Sequence, residues 1–319
     1  MSKYAVEIIP FPEKDFDQVI LSGEGQSAKL APAMGNNLFS YVKDGQELLA
    51  TTDFNGRPGG YGLPVMFPYA NRITDATFQF KDCKYTVIKN GEPKILHGIV
   101  GDEAFTVEET GADDTCAYVT CSIEFTPGGV LYPIFPFYLK LSMTYSISAE
   151  GLRLDWSVEN KDDKDAPFGF GVHTFFNKID PEHDTIVHVP NRMMMETVNC
   201  FPTRKILDAQ GTTWDLSMGR RLSEMNFDNL FGNMSSDRPS WIDYTKSGLR
   251  TTLTASDDMK YMVIFTPPRM KTGFCLENQT NSTDGFNMYA EGKKDLSNVI
   301  VLAPGEIHKG WIKIQGSRI

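Results

Sequence analysis

Residues 137–158, FYLKLSMTYSISAEGLRLDWSV, decide the fold class of this chain. From Phe137 to Ile147 apolar and polar residues alternate, and the alternation resumes from Leu152 to Val158. A repeat of two residues is the pattern of a strand that turns one face to a hydrophobic core. Two such runs joined by the four-residue link 148–151 predict an antiparallel hairpin.

Weaker strand patterns extend this interpretation over the rest of the chain. They cover residues 76–80, 84–88, 117–125, 252–255, 261–265, 299–302 and 311–315. No long window carries the apolar stripe of an amphipathic helix, and residues 228–234 offer at most a short helical turn. The sequence therefore predicts an all-β sandwich of antiparallel strands with little helix.

The domain organisation follows from what interrupts the strand pattern. There is no internal repeat, and no Ser/Gly-rich or Pro-rich linker separates halves of different composition. The polar stretch Asn160–Asp165 is short enough to be a surface turn between strands. We expect residues 1–319 to form a single domain.

Charge excludes two classes of partner. The chain has 31 Lys and Arg against 41 Asp and Glu, a net charge of −10, and no cluster of cationic residues. Proteins that bind nucleic acid or anionic membranes need such a cluster to neutralise phosphates. We expect neither kind of partner, and the oligomeric state cannot be read from the sequence.

Compartment and cofactor are inferred from missing signals. Glu7 interrupts the only apolar run near the start, so no signal peptide is recognised, and no run approaches the ~18 apolar residues of a membrane span. The five cysteines never form Cys-x-x-Cys, which argues against a disulfide framework and a zinc knuckle. Phosphate-binding, dinucleotide-binding and zinc-protease motifs are also missing. These observations predict a cytoplasmic protein with no metal and no cofactor.

Five histidines are the first candidates for chemistry. His183 lies in an acidic turn, and His188 and His308 lie in alternating segments, so we assign those three to surface or structural positions. His97 ends an apolar strand before Gly98, a residue that lets a ligand or a backbone approach closely. His173 stands in FGFGVHTFFN, where glycines and aromatic residues favour a cleft wall about as much as a core position.

A carboxylate is the second candidate. Glu277 follows the apolar residues FCL and precedes the amide and hydroxyl side chains of residues 278–280. A buried carboxylate needs a compensating partner, so Glu277 is either half of a structural ion pair or a tuned acid/base group. The residues alone leave both interpretations open.

Four short segments stand out in this order along the chain: Pro64–Ile73 (PVMFPYANRI), Leu96–Gly98 (LHG), His173–Asn177 (HTFFN) and Leu276–Thr280 (LENQT). As an ordered set they resemble the aldose 1-epimerase (galactose mutarotase-like) family. A fifth segment, Leu302–Glu306 (LAPGE), is similar to the turn that closes the family's domain. The resemblance covers nearly the whole chain and implies a β-supersandwich.

The resemblance implies a role for each matching residue. Arg72 and His97, with Asn71 of the same Asn-Arg-Ile element, would bind sugar hydroxyls. His173 would be the general acid and Glu277 the general base of a mutarotase, an isomerase of carbohydrate metabolism that interconverts the α and β anomers of a hexose.

Two features leave the substrate open. Asp228 is similar to the family's sugar-binding aspartate, although an N-cap of a short helix explains it equally well. Many family members carry His-Pro-Tyr-Phe at the acid, whereas this chain has His173-Thr174-Phe175-Phe176. A hexose-6-phosphate 1-epimerase remains an alternative, and a non-catalytic carbohydrate-binding β-sandwich is the alternative from another class.

Overall fold

The hairpin expected near residue 150 is confirmed in the computed structural model, which describes residues 2–55 and 61–319. Strands Leu139–Ser148 and Gly151–Asn160 pair antiparallel, and buried and half-buried residues alternate along both. The link is two residues long instead of four, because Ser148 already pairs with Gly151. Gly151 has φ +105°, and a Cβ there would lie 2.6 Å from the carbonyl oxygen of Ile314. Glycine is therefore needed where the neighbouring strand crosses the turn.

This hairpin supplies the third and fourth strands of a nine-stranded antiparallel sheet. Its strands, in spatial order, are Thr106–Ala112, Cys116–Glu124, Leu139–Ser148, Gly151–Asn160, Ile307–Arg318, Leu249–Ala255, Ser240–Tyr244, Thr185–His188 and Arg220–Arg221. The strand nearest the C-terminus thus lies between the predicted hairpin and the strands of residues 240–255, so the sheet joins segments that are far apart in sequence.

An eight-stranded sheet provides the second layer. Seven of its strands follow the order Phe201–Asp208, Met193–Val198, Asp228–Gly232, Tyr261–Phe265, Gly273–Gln279, Gly171–Val172 and Val65–Met66, and Phe175–Asn177 also pairs with Gly273–Gln279. Asp228 begins a strand, so the alternative that it caps a helix is wrong. Residues 227–231 (FDNLF) do not alternate apolar and polar side chains, so the sequence alone could not separate a strand from a helical turn.

The third sheet is a meander near the N-terminus that the sequence patterns did not predict. It contains Tyr4–Pro10, Asp17–Gly23, Gln26–Ala31, Asn37–Lys43 and Gln46–Glu47, each paired with the next. Two of its strands lack a period of two residues, and for opposite reasons. Tyr4–Pro10 is mostly exposed, whereas the first five residues of Asn37–Lys43 are all buried.

The remaining elements are short. Three two-stranded ribbons pair Thr77–Phe80 with Cys83–Thr86, Ile88–Lys89 with Glu92–Pro93, and Ala166–Phe168 with Ile300–Leu302. The helices are Gly285–Ala290 and Lys294–Ser297, with 3₁₀ turns at Thr74–Ala76, Glu182–Asp184 and Leu222–Glu224. No helix in the described ranges has the length and apolar character that crossing a membrane requires.

One hydrophobic cluster joins the three large sheets. Leu21 of the N-terminal sheet, Leu141 of the nine-stranded sheet and Phe274 of the eight-stranded sheet all belong to it and are almost completely buried. The all-β, antiparallel prediction is therefore confirmed. A single domain has one hydrophobic core of its own, and these three sheets share one. We therefore propose that the chain forms a single domain.

Candidate active site

The central strand of the eight-stranded sheet, Gly273–Gln279, carries the carboxylate of the site. In an antiparallel sheet, directly paired residues lie on the same face. Phe265 pairs with both Cys275 and Asp228, so these three side chains form one row. Glu277 lies two residues beyond Cys275 and therefore on the same face. The strand pairing brings Asp228 and Glu277 to one surface although they are far apart in sequence.

His173 reaches this face from the neighbouring strand segment. Phe175 pairs with Cys275, and His173 lies two residues earlier, opposite Glu277. The backbone N–H of His173 donates to the carbonyl of Pro64 at 2.9 Å, which fixes the chain in the gap between two short strands. As a result His173 Nε2 lies 3.2 Å from Glu277 Oε1.

Aromatic rings surround His173. The Phe175 ring stacks on the imidazole with centroids 4.4 Å apart and planes 10° apart. The edges of Phe265 and His97 approach it at centroid distances of 6.5 and 5.1 Å. Burial lowers the pKa of His173 to about 4, because an imidazolium would lose its hydration there. The sequence left the sign of this pKa shift open, and the packing around His173 favours the neutral ring.

Glu277 is shifted in the opposite direction. Its side chain is 2% exposed, and Oε2 has no hydrogen-bond partner among the described residues. Burial raises its pKa well above the usual range, the negative charge of Asp228 adds to the rise, and the positive charge of Arg72 opposes it. Both pKa shifts disfavour the charged forms, protonated His173 and ionised Glu277. At every pH between the two pKa values, the His173–Glu277 pair therefore holds one proton that it can transfer.

His97 forms the wall beside this pair. Its φ is +59°, and its backbone N–H donates to the carbonyl of Asn71 at 2.8 Å. Burial lowers the pKa of His97 well below its ordinary value, with further lowering from His173, Arg72 and Lys94. His97 is thus a neutral imidazole at pH 7, and its buried Nδ1 has no partner among the described residues. Such a group suits a hydroxyl ligand.

The glycine after His97 serves the backbone. Gly98 has φ +68°, and a Cβ there would lie 2.2 Å from the carbonyl oxygen of Phe67. Ile99 N donates to the same carbonyl at 2.8 Å. The sequence suggested that Gly98 lets either a ligand or a backbone segment approach closely. The structure shows that the backbone of Phe67 makes this approach.

Arg72 is held by a buried polar contact. Asn71 Oδ1 accepts one hydrogen bond from Arg72 Nη1 at 3.1 Å and a second from Thr283 Oγ1 at 2.9 Å. Asp284 N donates to the carbonyl of Arg72 at 2.8 Å. The guanidinium and the peptide of Arg72 are therefore both positioned by the segment that follows the Glu277 strand.

The same segment also holds Ala70. Asn281 exchanges two hydrogen bonds with its backbone, each 3.1 Å long, and Gly169 leaves room for the amide, because a Cβ at Gly169 would lie 1.9 Å from Asn281 Oδ1. Sequence reasoning missed Thr283, Asn281 and Asp284 as contributors to the site. The usable signal was the polar run NQTNSTD (278–284) directly after Glu277, which is buried in its entirety.

Asp228 lies at the exposed rim of the site. Cys200, in the turn between Met193–Val198 and Phe201–Asp208, places its Sγ 3.5 Å from Asp228 Oδ2. The pKa of Cys200 is raised by burial and by Asp228, and Arg72 opposes the rise. Arg72 and Asp228 therefore both act on this edge of the site as well as on Glu277. All six residues that the sequence analysis singled out lie around one face.

The other three histidines lie elsewhere. His183 is 66% exposed beside Asp184, His188 stacks on Trp241, and His308 contacts Asp258 Oδ2 at 2.9 Å. Each has a local structural partner and none approaches Glu277.

One group of side chains has the composition of a metal site. His97, His173 and Glu277 each offer one ligand atom, and these atoms lie within 4.8 Å of one another. Imidazole and carboxylate groups suit Zn²⁺ and similar ions. An ion bound there would occupy both members of the pair that proton transfer needs.

A model of the family described as aldose 1-epimerase matches residues 18–315. Among curated proteins, maltose epimerase from Levilactobacillus brevis is 25% identical over an alignment of 228 residues that covers 66% of this chain. The match spans 65% of the length of that enzyme.

Solved structures share the fold. A galactose mutarotase-like protein from Clostridium acetobutylicum superposes with a TM-score of 0.88 at 24% identity, covering 100% of this chain and 99% of that one. Galactose 1-epimerase from Lactobacillus acidophilus gives a TM-score of 0.78 at 16% identity, with 100% and 99% covered. At these identities the likeness is one of fold.

Proposed function

The chain belongs to the aldose 1-epimerase family, and from this premise we propose that it interconverts the α and β anomers of an aldose, with His173 and Glu277 as the acid/base pair. The observation that carries the proposal is the 3.2 Å contact between His173 Nε2 and Glu277 Oε1. In a pyranose, the ring oxygen and the anomeric hydroxyl oxygen are bonded to the same carbon. An acid for one and a base for the other must therefore be close neighbours, as these two groups are.

The reaction moves two protons and breaks one bond. The step starts from the ionic form of the pair, which forms when the proton passes from Glu277 to His173 across their contact. Glu277 then removes the proton of the anomeric hydroxyl while protonated His173 gives its proton to the ring oxygen. The bond between the anomeric carbon and the ring oxygen breaks, and the anomeric C–O bond becomes a carbonyl. Each positioned proton transfer is typically worth ~10²–10⁴-fold in rate.

Closure exchanges the two roles. The aldehyde group rotates, and the hydroxyl oxygen that was the ring oxygen bonds to the other face of the carbonyl carbon while neutral His173 takes its proton. The carbonyl double bond becomes a single bond, and Glu277 returns its proton to that oxygen. The pair then holds the same proton as at the start. The ionic pair has protonated His173 and ionised Glu277, and the neutral pair has neutral His173 and protonated Glu277. Both forms have the same net charge, so neither step changes the charge of the site.

The surrounding residues would hold the sugar. Neutral His97 and the fixed guanidinium of Arg72 offer hydrogen bonds to hydroxyls, and Asp228 offers an acceptor at the open rim. The net charge of −10 favours a neutral sugar over a phosphorylated one. Maltose, named by the relative from Levilactobacillus brevis, is a neutral sugar.

The test is anomer exchange followed by NMR saturation transfer between the α and β resonances of glucose, galactose, maltose and glucose 6-phosphate. We expect the protein to accelerate exchange of at least one neutral sugar far beyond the buffer rate. If none of the four sugars exchanges faster than in buffer, the assignment is wrong.

A further inference from the structure

A pocket opens beside the proposed acid. It has a volume of about 420 Å³, and His97 and His173 form part of its wall. Glu277 is outside the lining that the structure describes. This volume falls within the range of small-molecule pockets, roughly 300–1,000 Å³.

The wall of the pocket combines apolar surface with two charged groups. Its apolar part is formed by Pro64, Val65, Met66 and Leu96. The charged groups are Lys94 and Asp102. Gly98 and Gly101 have no side chains and contribute backbone to the same wall. A sugar ring presents both C–H surface and hydroxyls, so it can use both kinds of wall.

The charge of the pocket is balanced. Lys89 is buried and contacts Asp102 as well as Glu103, the latter at 2.7 Å, so one cation is shared by two carboxylates. The ammonium of Lys94 has no ion-pair partner in the described ranges of the chain. Together Lys89 and Lys94 balance Asp102 and Glu103. A neutral ligand that both donates and accepts hydrogen bonds suits this arrangement better than a phosphate, which Asp102 would repel.

We propose that this pocket is a second subsite, which binds the non-reducing ring of a reducing disaccharide while the reducing ring reacts at His173 and Glu277. The inference rests on the proposed function for its orientation. The ring oxygen at His173 has two carbon neighbours, the anomeric carbon, which faces Glu277, and C5 on the other side of that oxygen. The pocket includes His173 and His97 but not Glu277, so it adjoins the C5 side of the ring. C5 is bonded to C4 and C6, whose oxygens can carry a second ring and leave the anomeric hydroxyl free.

Two substitutions probe the pocket without touching the proposed catalytic pair. Lys94→Met removes the ammonium and keeps a long side chain. Gly101→Leu fills the space, since a Cβ at Gly101 has no atom within 4 Å and its backbone does not require glycine. Lys84→Met, on an exposed strand of a short ribbon, is the matched control.

The experiment measures anomer exchange of maltose, glucose and glucose 6-phosphate with wild type and the three variants, after thermal melts have shown that each is folded. For Lys94→Met we expect kcat/KM for maltose to fall about tenfold, the loss typical of one charged hydrogen bond, and kcat/KM for glucose to stay within about twofold. Gly101→Leu should show the same selectivity, and Lys84→Met should show no change.

Three results would overturn the subsite. They are equal losses for maltose and glucose, no loss for either in Lys94→Met and Gly101→Leu, or a selective loss for glucose 6-phosphate, which would mark an anion pocket. A wild-type protein that exchanges no sugar would instead refute the proposed function itself.

Discussion

His173 Nε2 lies 3.2 Å from Glu277 Oε1, although 104 positions separate the two residues in sequence (277 − 173 = 104). The contact follows from the pairing of Phe175 with Cys275, because each member of the proposed acid/base pair lies two residues from a paired position. The chemistry of the site therefore depends on the register of one short antiparallel pairing. A slip of one residue would turn Glu277 to the opposite face of the sheet.

Glu277→Gln tests the base directly. Glutamine keeps the size of the side chain and its hydrogen bonding but cannot accept the proton, so we expect kcat for anomer exchange to fall by about 10²–10⁴-fold. Polarimetry of freshly dissolved α-glucose, or of the sugar found most active, measures the rate. Glu92→Gln, an exposed position, is the matched control. A Glu277→Gln protein as fast as wild type would remove Glu277 from the mechanism.

The pH profile follows from the two opposite pKa shifts. Below the His173 pKa of about 4 both groups carry protons, so no base is present. Above the raised pKa of Glu277 neither carries a transferable proton, so no acid is present. We expect kcat/KM to be flat between these limits, with the acid limb near pH 4 instead of near the ordinary histidine value of about 6.5.

Asp228→Asn tests whether Glu277 is the group that sets the alkaline limb of the pH profile. Asp228 helps to raise the pKa of Glu277, so its neutralisation should move the alkaline limb to lower pH and leave the acid limb in place. An alkaline limb that stays where it was would show that another group sets it.

Thr283 is a positioning residue for Arg72. Thr283→Val keeps the shape of the side chain and deletes the hydroxyl that donates to Asn71 Oδ1 at 2.9 Å. With one of its two partners lost, the amide no longer fixes the guanidinium, so we expect KM to rise about three- to tenfold with a smaller change in kcat, a loss of roughly 1 kcal/mol. Thr283→Ser should restore KM. A fall in melting temperature without a change in KM would mean that Thr283 acts on stability alone.

The sequence predicted the strands that bury only one face, because apolar and polar residues alternate along such strands. The hairpin of residues 139–160 alternates buried and half-buried positions, and its period is visible without a structure. Gly273–Gln279 is buried at every position, so its sequence shows a short apolar run and no period. Tyr4–Pro10 and Asn37–Lys43 of the N-terminal meander were missed for the related reason that exposure and full burial both remove the alternation.

The chemistry of the site could be located by residue type, whereas its supports could not. His173 and Glu277 stand out as single titratable groups in apolar surroundings. Thr283 and Asn71 are ordinary polar residues 212 positions apart, and only the fold shows that they share a hydrogen bond. The sign of the His173 shift was also beyond the sequence, because it depends on how completely Phe175 and its neighbours exclude water.

Divalent ions should inhibit this protein instead of activating it. His97, His173 and Glu277 could bind Zn²⁺, but the proton transfers proposed for His173 and Glu277 need both groups free. We expect anomer exchange to be unchanged after dialysis against EDTA, to fall on adding Zn²⁺, and to recover with fresh chelator. His97→Gln should weaken the inhibition, because it removes one ligand. Loss of activity on chelation and its return with an added ion would instead make the cluster a metal centre.

Gly98 tests how far the backbone beside His97 is constrained. Gly98→Ala introduces a residue at φ +68° and a Cβ that would lie 2.2 Å from the Phe67 carbonyl. The left-handed conformation costs an alanine about 1–2 kcal/mol and overpacking adds about 1–3 kcal/mol, so we expect the free energy of unfolding to fall by roughly 2–5 kcal/mol.

Gly91→Ala separates the two contributions. Gly91 has φ +81°, but a Cβ there would have no atom within 4 Å, so this variant carries the conformational cost alone. Urea denaturation of both variants should show Gly98→Ala as the less stable by about 1–3 kcal/mol, the overpacking part. Equal losses would mean that the chain around Phe67 and Gly98 yields to the added methyl group. The wall that His97 forms would then be adjustable, and the Gly98→Ala protein should lose little anomer exchange.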